Sequence, residues 1–195
     1  MERRNIARLL EYIDKSIREL QAERNIGMYH RTNNSTQSYS SLLSGRRPFA
    51  RAELRGSVEN PSITGTVDFF ATPLGVVVST QISGLPYDKD DPCAPQIYGF
   101  HIHQAGKCTG SAEDPFADAG SHFDKHGCPH PAHSGDLPPL FGNQGYAWSA
   151  VLTDRFSPED IMGRSVIVHS EADDLRTDPS GNSGKRIACG IIMGV

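Results

Sequence analysis

The sequence predicts an all-β domain, an antiparallel β-sandwich or barrel, preceded by a helix and a linker. Three observations support this prediction. Residues 1–24 carry a helical apolar repeat, residues 25–48 are polar and without period, and residues 49–195 contain short β-type runs separated by turn residues. Many short runs with frequent turn residues are typical of sandwiches and barrels, because a helix needs a longer periodic segment.

The first segment has the spacing of an amphipathic helix. Its apolar residues follow one another at intervals of four, three, four and three positions: Ile6, Leu10, Ile13, Ile17 and Leu20. This is the a/d seam of a coiled coil, extending over about two and a half heptads. We expect residues 1–24 to form a helix that either packs on its own domain or joins two copies into a homodimer.

The second segment, residues 25–48, contains the run Asn-Asn-Ser-Thr-Gln-Ser-Tyr-Ser-Ser at residues 33–41. A run of this composition predicts a flexible polar linker. The start of the chain is charged and lacks the apolar stretch of a signal peptide, which predicts a cytoplasmic location. No apolar run approaches the ~20 residues that a spanning helix needs, so we expect no membrane span.

From residue 49 onward, runs rich in β-branched or aromatic residues alternate with Gly, Pro, Asn and Asp. We predict strands at residues 50–56, 63–71, 75–82, 97–104, 146–152, 164–169 and 187–193. Two longer segments, residues 105–145 and 170–186, lack a strand pattern. Long irregular loops in a compact domain are usually functional.

The charge is uneven along the chain. Residues 1–48 have a net charge of +4 and residues 49–195 a net charge of −8. The acidic body excludes a nucleic-acid-binding protein, because contacts to phosphates need clustered basic groups.

Histidines are concentrated where the irregular segments meet the predicted strands. His101 and His103 lie two residues apart in an apolar run, so a strand would put both imidazoles on one face. Seven of the eight histidines fall between residues 101 and 169: His101, His103, His122, His126, His130, His133 and His169. Together with Asp136, this clustering predicts a metal site.

Five blocks around these residues occur in one order. They are Gly-Phe-His-Ile-His at 99–103, Gly-Ser-His-Phe at 120–123, His-Ser-Gly-Asp-Leu at 133–137, Val-His-Ser-Glu-Ala-Asp-Asp-Leu at 168–175, and Gly-Asn-Ser-Gly-Lys-Arg-Ile-Ala-Cys-Gly at 181–190. With them, residues 49–195 resemble the copper/zinc superoxide dismutases. A single His-x-His motif would be weak evidence for this family, whereas five blocks in the family's order are strong evidence. The resemblance implies a Greek-key antiparallel β-sandwich or barrel for this domain.

The resemblance also implies one copper and one zinc per chain. Copper would be bound by His101, His103, His122 and His169. Zinc would share His122 and add two more histidines and Asp136. Imidazole suits both metals, and three imidazoles with one carboxylate make a closed tetrahedral zinc site.

The resemblance assigns one of the two further zinc ligands clearly. His133 stands three residues before Asp136, which is the family's spacing. The other ligand is His130, which lies eight residues after His122 as in the family, or His126 as the alternative.

Further residues match the family by position. Asp173 would hydrogen-bond one copper-ligating and one zinc-ligating histidine. Arg186, a catalytic residue together with His122, would hold the anion at the mouth of the copper channel. Ser180 stands where the family often has a threonine that narrows the channel.

Two of the four cysteines also match the family by position. Cys108 and Cys189 would form the family's intrasubunit disulfide, which suits an exported protein better than a cytoplasmic one. Cys93 and Cys128 are either a second bridge or two free thiols.

The function that the resemblance implies is superoxide dismutation. Two superoxide anions and two protons become O2 and H2O2 by copper redox cycling, with zinc in a structural role. The alternative is a copper- and zinc-binding relative, a chaperone or storage module, without this activity. Such a relative would be expected to lack a copper ligand or the channel arginine, and Arg186 is present. A zinc hydrolase would need an open zinc position with a nearby general base, and the zinc site implied here is closed.

Overall fold

The computed structural model describes residues 43–195. The helix predicted for residues 1–24 and most of the linker predicted for residues 25–48 lie outside the described residues. The strands are β1 (Ala50–Gly56), β2 (Thr64–Thr72), β3 (Gly75–Ser83), β4 (Ile97–Tyr98), β5 (Phe100–His103), β6 (Leu140–Asn143), β7 (Tyr146–Thr153), β8 (Ser165–His169) and β9 (Arg186–Gly194). A short helix α1 (Pro158–Ile161) and a 3-10 turn (Ala117–Ala119) lie in the connections.

All seven predicted strands form, with two differences in detail. The run at residues 97–104 is interrupted at Gly99, which separates β4 from β5. At Gly99 the backbone approaches other residues closely, because a Cβ there would lie 2.6 Å from the Ser183 Cβ and 3.2 Å from the His169 Cβ. The second difference is β6, which lies within the segment that carries no strand pattern.

The strands pair antiparallel in the order β4-β6-β7-β3-β2-β1-β9-β8-β5. Strands β4 and β5 are separated by one residue, yet they stand at opposite ends of this order. The sheet therefore closes on itself as a barrel. Strand β3 pairs with β7 rather than with β4, which is a Greek-key connection. The all-β Greek-key prediction is confirmed.

Burial explains how strand β5 carries a polar site inside this barrel. On β1 the buried residues Ala50, Ala52 and Leu54 alternate with more exposed neighbours, as expected for a sheet with one apolar face. Strand β5 is buried on both faces. Phe100 and Ile102 belong to the hydrophobic core, so its two histidines point to the opposite, also enclosed, side.

The predicted disulfide between Cys108 and Cys189 is present. The suggested second bridge is wrong, because Cys93 and Cys128 are free thiols. Each is held in its own turn by a different carboxylate. The Cys93 amide donates to Asp91, and the Cys128 amide donates to Asp124.

Among the described residues, no helix has the length and apolar character needed to cross a membrane.

We expect the double variant Cys108→Ser/Cys189→Ser to unfold more easily. The bridge joins residues separated by 81 positions. A loop of that length is worth up to about 4.5 kcal/mol in the chain-entropy model. Denaturant unfolding of the metal-free protein measures the loss, and Cys93→Ser/Cys128→Ser is the matched control that should leave the free energy of unfolding unchanged. Equal losses in both double variants would contradict the prediction.

Candidate metal centre

Backbone hydrogen bonds along both edges of strand β5 position the segments that carry the site residues. Along one edge β5 pairs with β8, and the His169 amide donates to the Gly99 carbonyl at 2.8 Å. Along the other edge, Ile102 donates to Gly135 and accepts from Phe123 at 2.9 and 2.8 Å. These bonds lay the loop between β5 and β6 along the strand.

The first cluster consists of four buried imidazoles: His101, His103, His122 and His169. One ring nitrogen from each lies within 4.8 Å of all the others. The rings come from strand β5, from the loop beside it and from the end of β8. The structure therefore brings together every residue predicted to bind copper.

Hydrogen bonds occupy the opposite nitrogen of three of these rings. His103 Nδ1 donates to the Gly120 carbonyl at 2.9 Å, and His169 Nδ1 faces the Gly184 carbonyl at 3.4 Å. Since a carbonyl oxygen only accepts, both rings carry the proton on Nδ1 and present a lone pair on Nε2. His101 Nε2 faces the Asp173 carboxylate at 2.7 Å, and its Nδ1 has no hydrogen-bond partner.

The second cluster consists of His122, His130, His133 and Asp136. The Nδ1 atoms of the three rings lie 2.7, 3.2 and 3.1 Å from oxygens of the Asp136 carboxylate. His122 belongs to both clusters, since its Nδ1 faces Asp136 while its buried Nε2 has no hydrogen-bond partner.

A cation fits this second cluster. His130 Nε2 faces Asp173 at 2.9 Å, so the proton of this ring lies on Nε2 and its Nδ1 is a lone pair. That lone pair lies 3.2 Å from Asp136 Oδ2, and the two atoms can only accept. Acceptors that converge in a buried cluster are what a bound cation needs.

Of the two histidines left open by the sequence, His130 lies in the cluster and His126 does not. His126 is exposed, in a turn where its amide donates to the Asp124 carboxylate. The His130 amide instead donates to Asp178 at 2.7 Å, which ties this part of the loop to the segment after β8.

Asp173 joins the two clusters. One carboxylate oxygen faces His101 Nε2 and the other faces His130 Nε2, and the Leu175 amide donates to it as well. Burial opposes ionisation, but the hydrogen bonds from His101, Leu175 and His130 outweigh it and hold the pKa of Asp173 well below its usual range. Gly181 is required beside this carboxylate, because φ is +64° and a Cβ would lie 1.9 Å from Asp173 Oδ1.

Burial keeps the imidazoles of His101, His103 and His169 neutral. It lowers the pKa of His101 to about 4, despite the hydrogen bond to Asp173. Burial and the neighbouring rings also lower the pKa values of His103 and His169 well below the usual range. A neutral imidazole is the form that binds a metal ion.

A cavity of about 1310 Å³ opens onto the first cluster. Its lining includes His103, His122 and His169, together with Ser180 and Arg186. Arg186 begins strand β9, and its Nη1 and Nη2 donate to the Phe116 and Gly120 carbonyls at 2.7 and 2.9 Å. The guanidinium is therefore fixed at the entrance to the imidazoles.

Sequence reasoning did not find the acceptors that orient these side chains. The Gly120 carbonyl accepts from both His103 and Arg186, and the Gly184 carbonyl faces His169. Every residue has a backbone carbonyl, so no residue type identifies the one that will accept a hydrogen bond from the site. Only the glycines within the quoted blocks hint that the backbone is close to the site.

Comparisons with known proteins agree with this geometry. Residues 63–192 match the family model described as copper/zinc superoxide dismutase. A Cu-Zn superoxide dismutase of Deinococcus radiodurans is 35% identical over 167 residues, covering 76% of this chain and 86% of the relative. One of Photobacterium leiognathi is 34% identical over 143 residues, covering 66% and 78%.

A solved structure is similar as well. The Cu/Zn superoxide dismutase from Brucella abortus superposes with a TM-score of 0.61 at 26% identity, covering 73% of this chain and 98% of that one.

A Greek-key barrel with two joined clusters of metal ligands defines a copper- and zinc-binding oxidoreductase. The chain belongs to the copper/zinc superoxide dismutase family. It is a superoxide dismutase whose cofactors are copper and zinc.

We expect Asp173→Asn to weaken the retention of both metals, because an amide offers only one oxygen to two imidazole N–H groups. Loss of such a carboxylate typically costs about 10–100-fold in metal affinity. Competition with a chelator, followed by metal analysis, measures the effect. Asp154→Asn makes the same chemical change at an exposed carboxylate and should retain both metals. Selective loss of one metal from Asp173→Asn would contradict a role in both clusters.

Proposed function

We propose that copper is held by His101, His103, His122 and His169, and zinc by His122, His130, His133 and Asp136. One observation supports this division most strongly. Three imidazoles of the first cluster line the open cavity with Arg186, whereas His130 and His133 do not line it. A redox metal must be reached by its substrate, whereas a structural zinc has all its coordination positions filled by protein ligands and needs no access.

The reaction converts two superoxide anions and two protons into O2 and H2O2. One superoxide loses an electron and becomes O2, and the other gains that electron and two protons. Copper, when bound, supplies the one-electron redox couple for both halves. The residues of the chain supply binding, orientation and protons.

Arg186 binds the superoxide anion. Two of its N–H groups are occupied by the Phe116 and Gly120 carbonyls, and its remaining donors are available to the cavity. A guanidinium fixed in this way attracts and orients a small anion without first having to be ordered.

His122 is the proton-carrying group of this proposal. Its Nδ1 is oriented by Asp136, so its buried Nε2 is the atom that accepts a proton and delivers it to the reduced substrate. Asp173 is a positioning residue, since it holds the rings of His101 and His130 through their Nε2 atoms.

Three expectations about the whole chain stay predictions. We expect residues 1–24 to form a helix that either packs on its own domain or supports a homodimer, and residues 25–48 to form a linker to the domain at 49–195. The protein is cytoplasmic, although the disulfide is more typical of an oxidising compartment. Light scattering of the chain with and without residues 1–24 tests the dimer, and cell fractionation tests the compartment.

We expect His130→Gln to lose zinc and His126→Gln to keep it. His130 Nδ1 converges on Asp136, whereas His126 is exposed. Zinc content after dialysis, measured by elemental analysis, distinguishes the two variants. Zinc loss in His126→Gln with zinc retained in His130→Gln would reverse the assignment.

We expect His169→Ala to lose copper and dismutation while it keeps zinc, because His169 belongs only to the first cluster. Elemental analysis and a superoxide-decay assay before and after copper addition measure both effects. The unsubstituted chain is expected to contain about one copper and one zinc, with activity that follows copper. Wild-type activity in His169→Ala would show that the copper assignment is wrong.

A further inference from the structure

We propose that Asp114 sets the strength of anion binding in the channel, because its carboxylate weakens the attraction of Arg186 for small anions. This inference rests on the proposed role of Arg186 in binding superoxide. It concerns a segment of the loop between Cys108 and His122 that none of the predicted site residues occupies.

The geometry places the carboxylate within ion-pair distance of the guanidinium but without a hydrogen bond between the two. Asp114 Oδ2 lies 3.7 Å from Arg186 Nη1, too far for a hydrogen bond, and Nη1 donates instead to the Phe116 carbonyl. The Arg186 side chain is 20% exposed and the Asp114 side chain 45% exposed. Both residues line the cavity, so an anion at Arg186 is also close to this negative charge.

Hydrogen bonds hold Asp114 in this position. Its amide donates to Ser111 Oγ at 3.1 Å, its carbonyl accepts from the Ser111 and Ala117 amides, and its Oδ1 accepts from the Phe116 amide at 3.3 Å. The Phe116 side chain is buried with Ile167 and Cys189. The same turn thus presents the carbonyl that orients Arg186 and the carboxylate that opposes its charge.

Other charges around the cavity act differently. Glu59, Asp88, Asp90, Glu113 and Glu171 line it as well, against the cations Lys89, Lys185 and Arg186. Among the described residues, Asp114 is the carboxylate within ion-pair distance of Arg186, while Lys185 lies 3.9 Å from Glu59. The more distant exposed charges are screened by salt over about 10 Å, so Asp114 has the strongest local effect on the bound anion.

Coulomb's law sets the size of the effect. A unit negative charge about 6 Å from a bound anion, in surroundings close to water, weakens binding about threefold. The effect applies equally to superoxide and to competing anions such as azide.

The test is Asp114→Asn, which removes the charge but keeps the size and an oxygen that can accept from the Phe116 amide. In the copper-loaded protein we expect the second-order rate constant of superoxide decay to rise about threefold at low ionic strength. Azide affinity, measured by absorption titration, should rise by a similar factor. Both increases should shrink as salt is added.

Glu113→Gln is the matched control, because it removes the same charge one residue away and Glu113 makes no ion pair with Arg186 among the interactions of the described residues. It should change both quantities much less than Asp114→Asn does. Equal increases in the two variants would overturn the inference, since the net charge of the rim would then be responsible.

Arg186→Gln separates this inference from the proposed function. A lower rate constant in Arg186→Gln, with no change in Asp114→Asn, means that Asp114 has no such role while Arg186 binds the anion. An unchanged rate constant in Arg186→Gln means that the proposed role of Arg186 is wrong, and the inference about Asp114 is overturned with it.

Discussion

The site depends on the backbone hydrogen bonds along the second edge of strand β5. The Ile102 amide and carbonyl bond to Gly135 and Phe123, so one residue of the strand aligns both ends of the metal-binding loop. Without this pairing His122 and Asp136 would not meet His101. An unpaired edge would also leave buried backbone groups without partners, which is costly in free energy. The strand that completes the barrel therefore also assembles the metal centre.

A few shared acceptors then connect the parts of the site. Asp173 holds one ring from each cluster, and the Gly120 carbonyl accepts from both His103 and Arg186. The disulfide reinforces the second connection, because Cys189 lies three residues after Arg186 and anchors the segment that carries Gly120. Displacement of that loop would move the acceptor of His103 and of Arg186 together.

Sequence patterns predicted the features that residue type determines, such as strands and histidine blocks. They did not predict the features that depend on which residues are close in three dimensions. Alternation and β-branched residues marked the seven strands, but β6 escaped because Gly142 and Asn143 resemble turn residues. The order of the histidine blocks marked the side chains that the structure brings together in the two clusters. Sequence spacing did not decide whether His126 or His130 belongs to the second cluster. In the structure His130 is held there by contacts with Asp173 and Asp178, which lie over 40 residues away in the sequence. The suggested Cys93–Cys128 bridge failed for the same reason, since composition does not report distance.

Charge and burial explain why the two clusters differ in access. Buried neutral imidazoles alone do not attract an anion, and the body of the chain is acidic, with a net charge of −8 over residues 49–195. A cation fixed where the cavity meets the first cluster adds to the attraction that bound metal ions would supply, and Arg186 occupies that place. The second cluster contains the Asp136 carboxylate among its imidazoles, and His130 and His133 do not line the cavity. A single ring, His122, thus belongs both to the cluster that the cavity reaches and to the cluster whose other members do not line it.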